Sequence, residues 1–122
     1  MTRMSRRQVT AGIATLASLG WAGAARAHHG WGGYDSTKVL NLTGTIKSYK
    51  YINPHGELVL TTPDKEWLCT LAPPFRMDNR GLGESAFKVG DTCTVVGYPN
   101  KTDPKEMRAE RISLNGKTVE LR

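Results

Sequence analysis

VLNLTGTIKSYKYI, residues 39–52, is the stretch on which the fold turns. It is dense in β-branched and aromatic side chains. Leu40, Leu42 and Ile46 share one parity; Thr43, Thr45, Tyr49 and Tyr51 share the other. Such alternation is the signature of a half-buried strand, and the run reads as one long strand over Val39–Ile52. Gly44 inside it marks a bulge or a sharp bend.

Downstream, the turn Asn53-Pro54-His55-Gly56 separates this strand from a second, Glu57–Thr62. Pro63-Asp64 turns the chain into a third, Lys65–Leu71, with Trp67, Cys69 and Leu71 on one face. Ala72–Phe87 breaks the pattern. Its opening prolines suit a helix start and Gly81 suits a helix end, so a short helix is expected over Pro74–Arg80, packing Phe75 and Leu82 onto the sheet. Lys88-Val89-Gly90-Asp91 leads into a fourth strand, Thr92–Tyr98. A polar loop precedes a fifth, Met107–Leu114, and Asn115-Gly116 is a strong hairpin signal before a last short strand, Thr118–Leu121. Three strands, a helix and two strands is the order of an OB-fold, whose long first strand must bend to join both halves of the barrel. The expected fold is therefore all-β with one short helix: a small OB-fold-like five-stranded barrel plus a C-terminal hairpin. A sandwich or another open barrel of the same strands is the rival. Leu42, Ile46, Leu58, Leu60, Leu68, Val95 and Ile112 are the expected core.

Upstream, residues 28–36 form a Gly-rich leader, which Trp31 and Tyr34 could pin to the domain. Before it, Arg3, Arg6 and Arg7 precede an uncharged apolar run, Val9–Ala25, and Ala25-Arg26-Ala27 matches a small-x-small cleavage site. Residues 1–27 are thus expected to be a cleaved signal peptide, and 28–122 a single domain in the bacterial periplasm or outside the cell. Ser5-Arg6-Arg7-Gln8-Val9-Thr10 resembles the twin-arginine export motif, with Val9-Thr10 in place of its usual Phe-Leu. An ordinary secretory signal is the alternative. No stable membrane anchor is expected after cleavage.

Processing would change the charge. Four of the 17 Lys and Arg residues lie in the signal and none of the 11 acids do. That leaves 13 basic against 11 acidic residues, a net charge of +2 in place of +6. So small a surplus argues against nucleic acid as a partner.

His28, His29 and His55 are the only histidines. Cleavage after Ala27 would give His28 a free α-amine. Amine, amide nitrogen and the second imidazole can then form a planar chelate, and planar nitrogen ligands favour Cu(II) or Ni(II), with copper heading the affinity series. His55 could complete the site, and Asp35 could orient a ligand imidazole as a supporting carboxylate. The same residues also read as solvated polar side chains on a flexible leader and as ordinary turn chemistry.

His28-His29-Gly30, then Tyr34-Asp35, Gly44-Thr45-Ile46, Asn53-Pro54-His55 and Val89-Gly90-Asp91 together resemble a family of small exported bacterial proteins known as a domain of unknown function. The resemblance covers essentially the whole mature chain. Gly30 stands where that family usually has Ser, and Tyr34 where it usually has Phe. Membership implies that the three histidines act together and implies no particular reaction.

Cys69 and Cys93 are the only cysteines. An oxidising compartment makes a disulfide possible, contributing about 3 kcal/mol by restricting the unfolded chain. Two buried free thiols are the equal alternative. Trp31, Tyr49, Tyr51 and Trp67 could form a stacking face for a small aromatic or carbohydrate ligand. No nucleophile motif, phosphate loop or zinc signature is present, so no catalytic residue is expected. The expectation is a small exported binding module for a metal ion, copper first, or for a small ligand. The alternative is an envelope structural or protein-interaction module with no metal.

Overall fold

The computed structural model describes residues 30–122. The expected signal segment, its expected cleavage point, His28 and His29 lie outside the described residues. The chain divides into two units at Gly33. The described part of the first ends in a 3-10 turn, Trp31–Gly33. The second, Tyr34–Arg122, carries strands β1 (Leu40–Lys50), β2 (Glu57–Thr61) and β3 (Glu66–Thr70), helix α1 (Pro74–Asn79), and strands β4 (Thr92–Pro99), β5 (Glu106–Leu114) and β6 (Lys117–Glu120). No helix among the described residues is long and apolar enough to cross a membrane.

The sheet closes on itself. Its order is β3–β2–β1–β4–β5–β6, and β3 also pairs with β5. Five strands therefore form a ring in the order β1–β2–β3–β5–β4, antiparallel everywhere except at the parallel β3–β5 seam. β6 adds outside the ring as a hairpin partner of β5. Its turn is the expected one: Asn115 and Gly116 both have positive φ, 53° and 77°, as a two-residue hairpin requires. The five-stranded barrel with a C-terminal hairpin expected from the sequence is what forms.

Two bulges make the apolar pattern consistent with closure. In β1 the register against β2 shifts between Ile46 and Ser48, so Lys47 is extra. Parity then flips: Leu40, Leu42 and Ile46 face inward before the bulge and Tyr49 packs on the core after it. The expected irregularity thus falls three residues beyond Gly44. The role of Gly44 is close approach, since a Cβ there would stand 2.3 Å from the Thr61 carbonyl oxygen. In β5 the register against β4 shifts opposite Val96 and Gly97, leaving Glu110 extra. Met107 and Ala109 are buried before that bulge, Ile112 and Leu114 after it. Strict alternation would instead have sent Arg111 and Ser113 inward.

Ile46, Leu58, Leu60, Val95 and Ile112 are buried as expected. Leu42 is only partly buried against the core. Leu68 is corrected: it has the opposite parity to buried Trp67 and Cys69 and is half-buried on the outer side. Helix α1 starts at Pro74 and is followed by Gly81, with the Leu82 N–H donating to the Met77 carbonyl at 2.8 Å. Met77 and Leu82 fill the core, while Phe75 is 62% exposed. The expectation for Phe75 fails because a helix this short buries one narrow stripe, here Pro74 and Met77 three residues apart.

Candidate functional site

Period-two alternation gives the β3–β5 seam two faces. Cys69 pairs with Met107 and both point into the barrel. Thr70 pairs with Arg108, and Glu106 lies one alternation earlier, so these three stand on the outer face. The β1–β2 turn and the start of the barrel unit fold over that face. Gly56 donates to the Ala72 carbonyl at 3.0 Å and accepts from Leu71 at 2.8 Å, which clamps the His55 turn to the end of β3. Tyr34 bridges to Asn100, and the Asp35 N–H donates to the Pro99 carbonyl at 2.9 Å.

The result is a polar cluster. The Tyr34 hydroxyl donates to the Glu106 carboxylate. Thr70 Oγ1 donates to the same carboxylate at 3.1 Å, and Asn100 Nδ2 does so at 3.4 Å. Arg108 is only 7% exposed although it points away from the core. Its guanidinium carbon is 6.0 Å from the centroid of the Tyr34 ring, and its Nη2 lies 3.1 Å from His55 Nε2. A guanidinium has donors and no acceptor, so Nε2 must be the acceptor and the neutral imidazole carries its hydrogen on Nδ1. Burial, then the Glu106 hydrogen bond, pushes the Tyr34 hydroxyl up to about 12. Burial lowers Arg108 below the ordinary guanidinium range, with the like charges of Arg122 and Arg76 adding to it and Tyr34 and Glu106 opposing it.

His55 is half-buried in this cluster. Among the described residues no group of three or more His, Cys, Asp or Glu side chains could hold a metal ion. The Asp35 carboxylate accepts from the Thr37 N–H at 3.1 Å and from the Thr37 hydroxyl at 2.5 Å, and Lys38 stands 4.0 Å away. These bonds hold its own turn and keep its carboxyl below the ordinary range.

Cys69 and Cys93 are free and buried. Their strands are not neighbours in the barrel. Burial, with Cys93 nearby, pushes the Cys69 thiol up to about 12, and burial pushes Cys93 to about 11. Both stay protonated at neutral pH and behave as small apolar residues. Three members of the proposed stacking face, Tyr49, Tyr51 and Trp67, are engaged with other residues of the barrel unit. Trp67 is buried, and Tyr49 stacks on Phe87 with centroids 4.0 Å apart. The Tyr51 hydroxyl donates to Asp78.

Arg108 and Glu106 were invisible to sequence reasoning as site residues. Nothing in Glu-Met-Arg-Ala-Glu-Arg separates Arg108 from Arg111. Arg111 is an exposed partner of Glu120 at 2.5 Å. Only the layer of Tyr34 and His55 makes Arg108 different.

A family described as of unknown function (DUF6152) matches residues 15–107, and the chain belongs to it. No curated protein matches. Among solved structures, the chain is similar to the ZRD-deleted mutant of TiaS in complex with agmatine. The identity is 17% and the TM-score 0.53, over 71% of this chain and 27% of that one. It is also similar to TiaS in its complex with a transfer RNA and ATP, at 20% identity and a TM-score of 0.50, over 72% of this chain and 19% of that one. The chain thus spans about a quarter or less of those proteins, and the likeness is one of fold.

Proposed function

We propose that this member of a family of unknown function is an exported binding module. It holds a transition metal, copper first, through the mature N-terminal amine, His28, His29 and His55. The observation that carries the reading is the common environment of Tyr34 and His55. The barrel unit begins at Tyr34, whose ring lies beside the guanidinium that binds His55. Signal removal would supply the amine, and the oxygen-poor donor set suits a nitrogen-loving ion. The chain is a binder rather than an enzyme on this reading, and the net charge of +2 after processing gives no reason to carry a nucleic-acid partner over from the fold likeness.

The test is a Cu(II) titration of protein processed after Ala27. One equivalent should bind through nitrogen ligands, seen as nitrogen couplings in the electron paramagnetic resonance spectrum. His55→Ala should weaken binding at least tenfold, and one extra residue before His28 should weaken it further. Equal affinity in the wild type and in a variant with all three histidines replaced by Ala would eliminate the reading. The interaction-module alternative would then stand, with Phe75 as the exposed apolar side chain to examine first.

A further inference from the structure

We propose that the cluster of arginines where α1, β5 and the C-terminal segment meet is a binding site for an oxyanion, a phosphate or carboxylate group. Every residue of that site belongs to the barrel unit, and the site stands apart from the metal reading above.

Three segments bring the guanidiniums together. Arg76 reaches from α1 and donates to the Leu121 carbonyl at 3.2 Å. Arg80, one helical turn on, donates to the Glu120 and Arg122 carbonyls. Leu121 donates its N–H to the Glu110 carbonyl on β5 at 2.8 Å, and Arg122 pairs with the Glu110 carboxylate at 3.3 Å. Arg108 lies two residues from Glu110 on the same strand, 7% exposed and held 3.1 Å from His55. Gathering like charges costs free energy: burial first, then the charges of Arg122 and Arg76, disfavour the charged form of Arg108. The carboxylates of this neighbourhood are already committed. Glu106 accepts from Tyr34, Thr70 and Asn100, and Glu110 from Tyr98 and Arg122. Glu120 is taken by Arg111 through both oxygens. An oxyanion seated among Arg76, Arg108 and Arg122 relieves the repulsion that the fold itself assembles.

Arg76 is the side chain shaped to grip it. Its guanidinium is a planar fork of five donors, of which one meets Leu121, and such a fork matches two oxygens of a carboxylate or phosphate. The Phe75 ring, 62% exposed with its centroid 6.0 Å from the Arg76 guanidinium carbon, forms an apolar wall beside it. Arg122 is exposed and can touch the same anion, while nearly buried Arg108 acts through a field that solvent screens little.

The test is a titration of the full chain with inorganic phosphate, followed by backbone and arginine side-chain 15N shifts. Saturable binding with a Kd of about 1 mM or tighter is expected, with the largest shifts at Arg76, Leu121 and Arg122 and with acetate competing. Arg76→Gln should weaken binding by about fivefold or more. Arg122→Gln, which leaves the Arg76 contact to Leu121 in place, should weaken it by about threefold. Lys47→Gln removes the same charge beside Glu66, at the end of β3 away from α1, and should leave the affinity within about twofold. Absence of saturation, or equal losses in all three variants, would overturn the proposal. Sedimentation with phosphatidylglycerol vesicles, against phosphatidylcholine, separates the two sources of the group. Vesicle binding that phosphate displaces and Arg76→Gln abolishes assigns the site to a lipid headgroup. Phosphate binding without vesicle binding assigns it to a soluble anion. Vesicle binding that survives Arg76→Gln in a protein that binds no phosphate would also overturn the proposal. Copper enters no arm of the test, so a failed copper titration leaves this site standing.

Discussion

The two faces of the β3–β5 seam carry different kinds of information. Inward, Cys69 and Met107 join Leu58, Leu60 and Ile112, side chains with no strong hydrogen bond to satisfy. Outward, Thr70, Glu106 and Arg108 sit under Tyr34 and His55, and donor and acceptor chemistry specifies the packing. The inner face tolerates any side chains of suitable volume. The outer face tolerates only particular atoms, because a buried polar group left unpaired costs more than the bond itself contributes. Stability is thus concentrated on one side of the strands and chemical specificity on the other.

Truncating the inner face should have the largest effect. Leu60→Ala or Ile112→Ala, both fully buried, should cost about 2–5 kcal/mol and show in denaturant melts. A cost near that of an outer-face hydroxyl would break the contrast.

Alkali should strike the inner face first. Cys69 and Cys93 hold their protons more tightly folded than unfolded, where the ordinary thiol value is 9.0. Their contribution is therefore complete below about pH 9 and is lost as pH rises through the folded values of about 11 and about 12. Tyr34 follows the same sign from 10.0 to about 12. Cys69→Ala with Cys93→Ala should lower stability at pH 7 but move the onset of alkaline loss from about pH 9 towards pH 10, read from melts across pH. An unchanged onset would show that the thiols titrate no differently when folded.

The smallest expected effect belongs to the outer face. Tyr34→Phe removes one donor from Glu106 but leaves Thr70 and Asn100 on it, so the cost should be about 1 kcal/mol. The same change should loosen the layer over Arg108 and speed amide exchange in the His55 turn, while leaving the core amides alone. Equal loss of protection in both places would mean that the two faces unfold as one.

The division between sequence and structure follows the same line. Alternating apolar residues, the prolines before the helix and Asn115-Gly116 encode strand order, the helix and the closing hairpin, because each depends on neighbours a few residues away. The sequence also marked His55 as a candidate on its turn. It misplaced the β1 irregularity, put Leu68 inside and turned Phe75 inward, because a bulge, a strand's facing and a helix's orientation are settled by the partner strands. Arg108 and Glu106 carried no local signal at all. Their burial comes from Tyr34 and from the His55 turn, tens of residues away in the chain. The sequence alone determined the elements, their order and the residue types able to bind. Only closure of the barrel at the parallel seam decided which arginine meets the histidine, since a hydrogen bond between such distant residues exists only once the chain has brought them within reach.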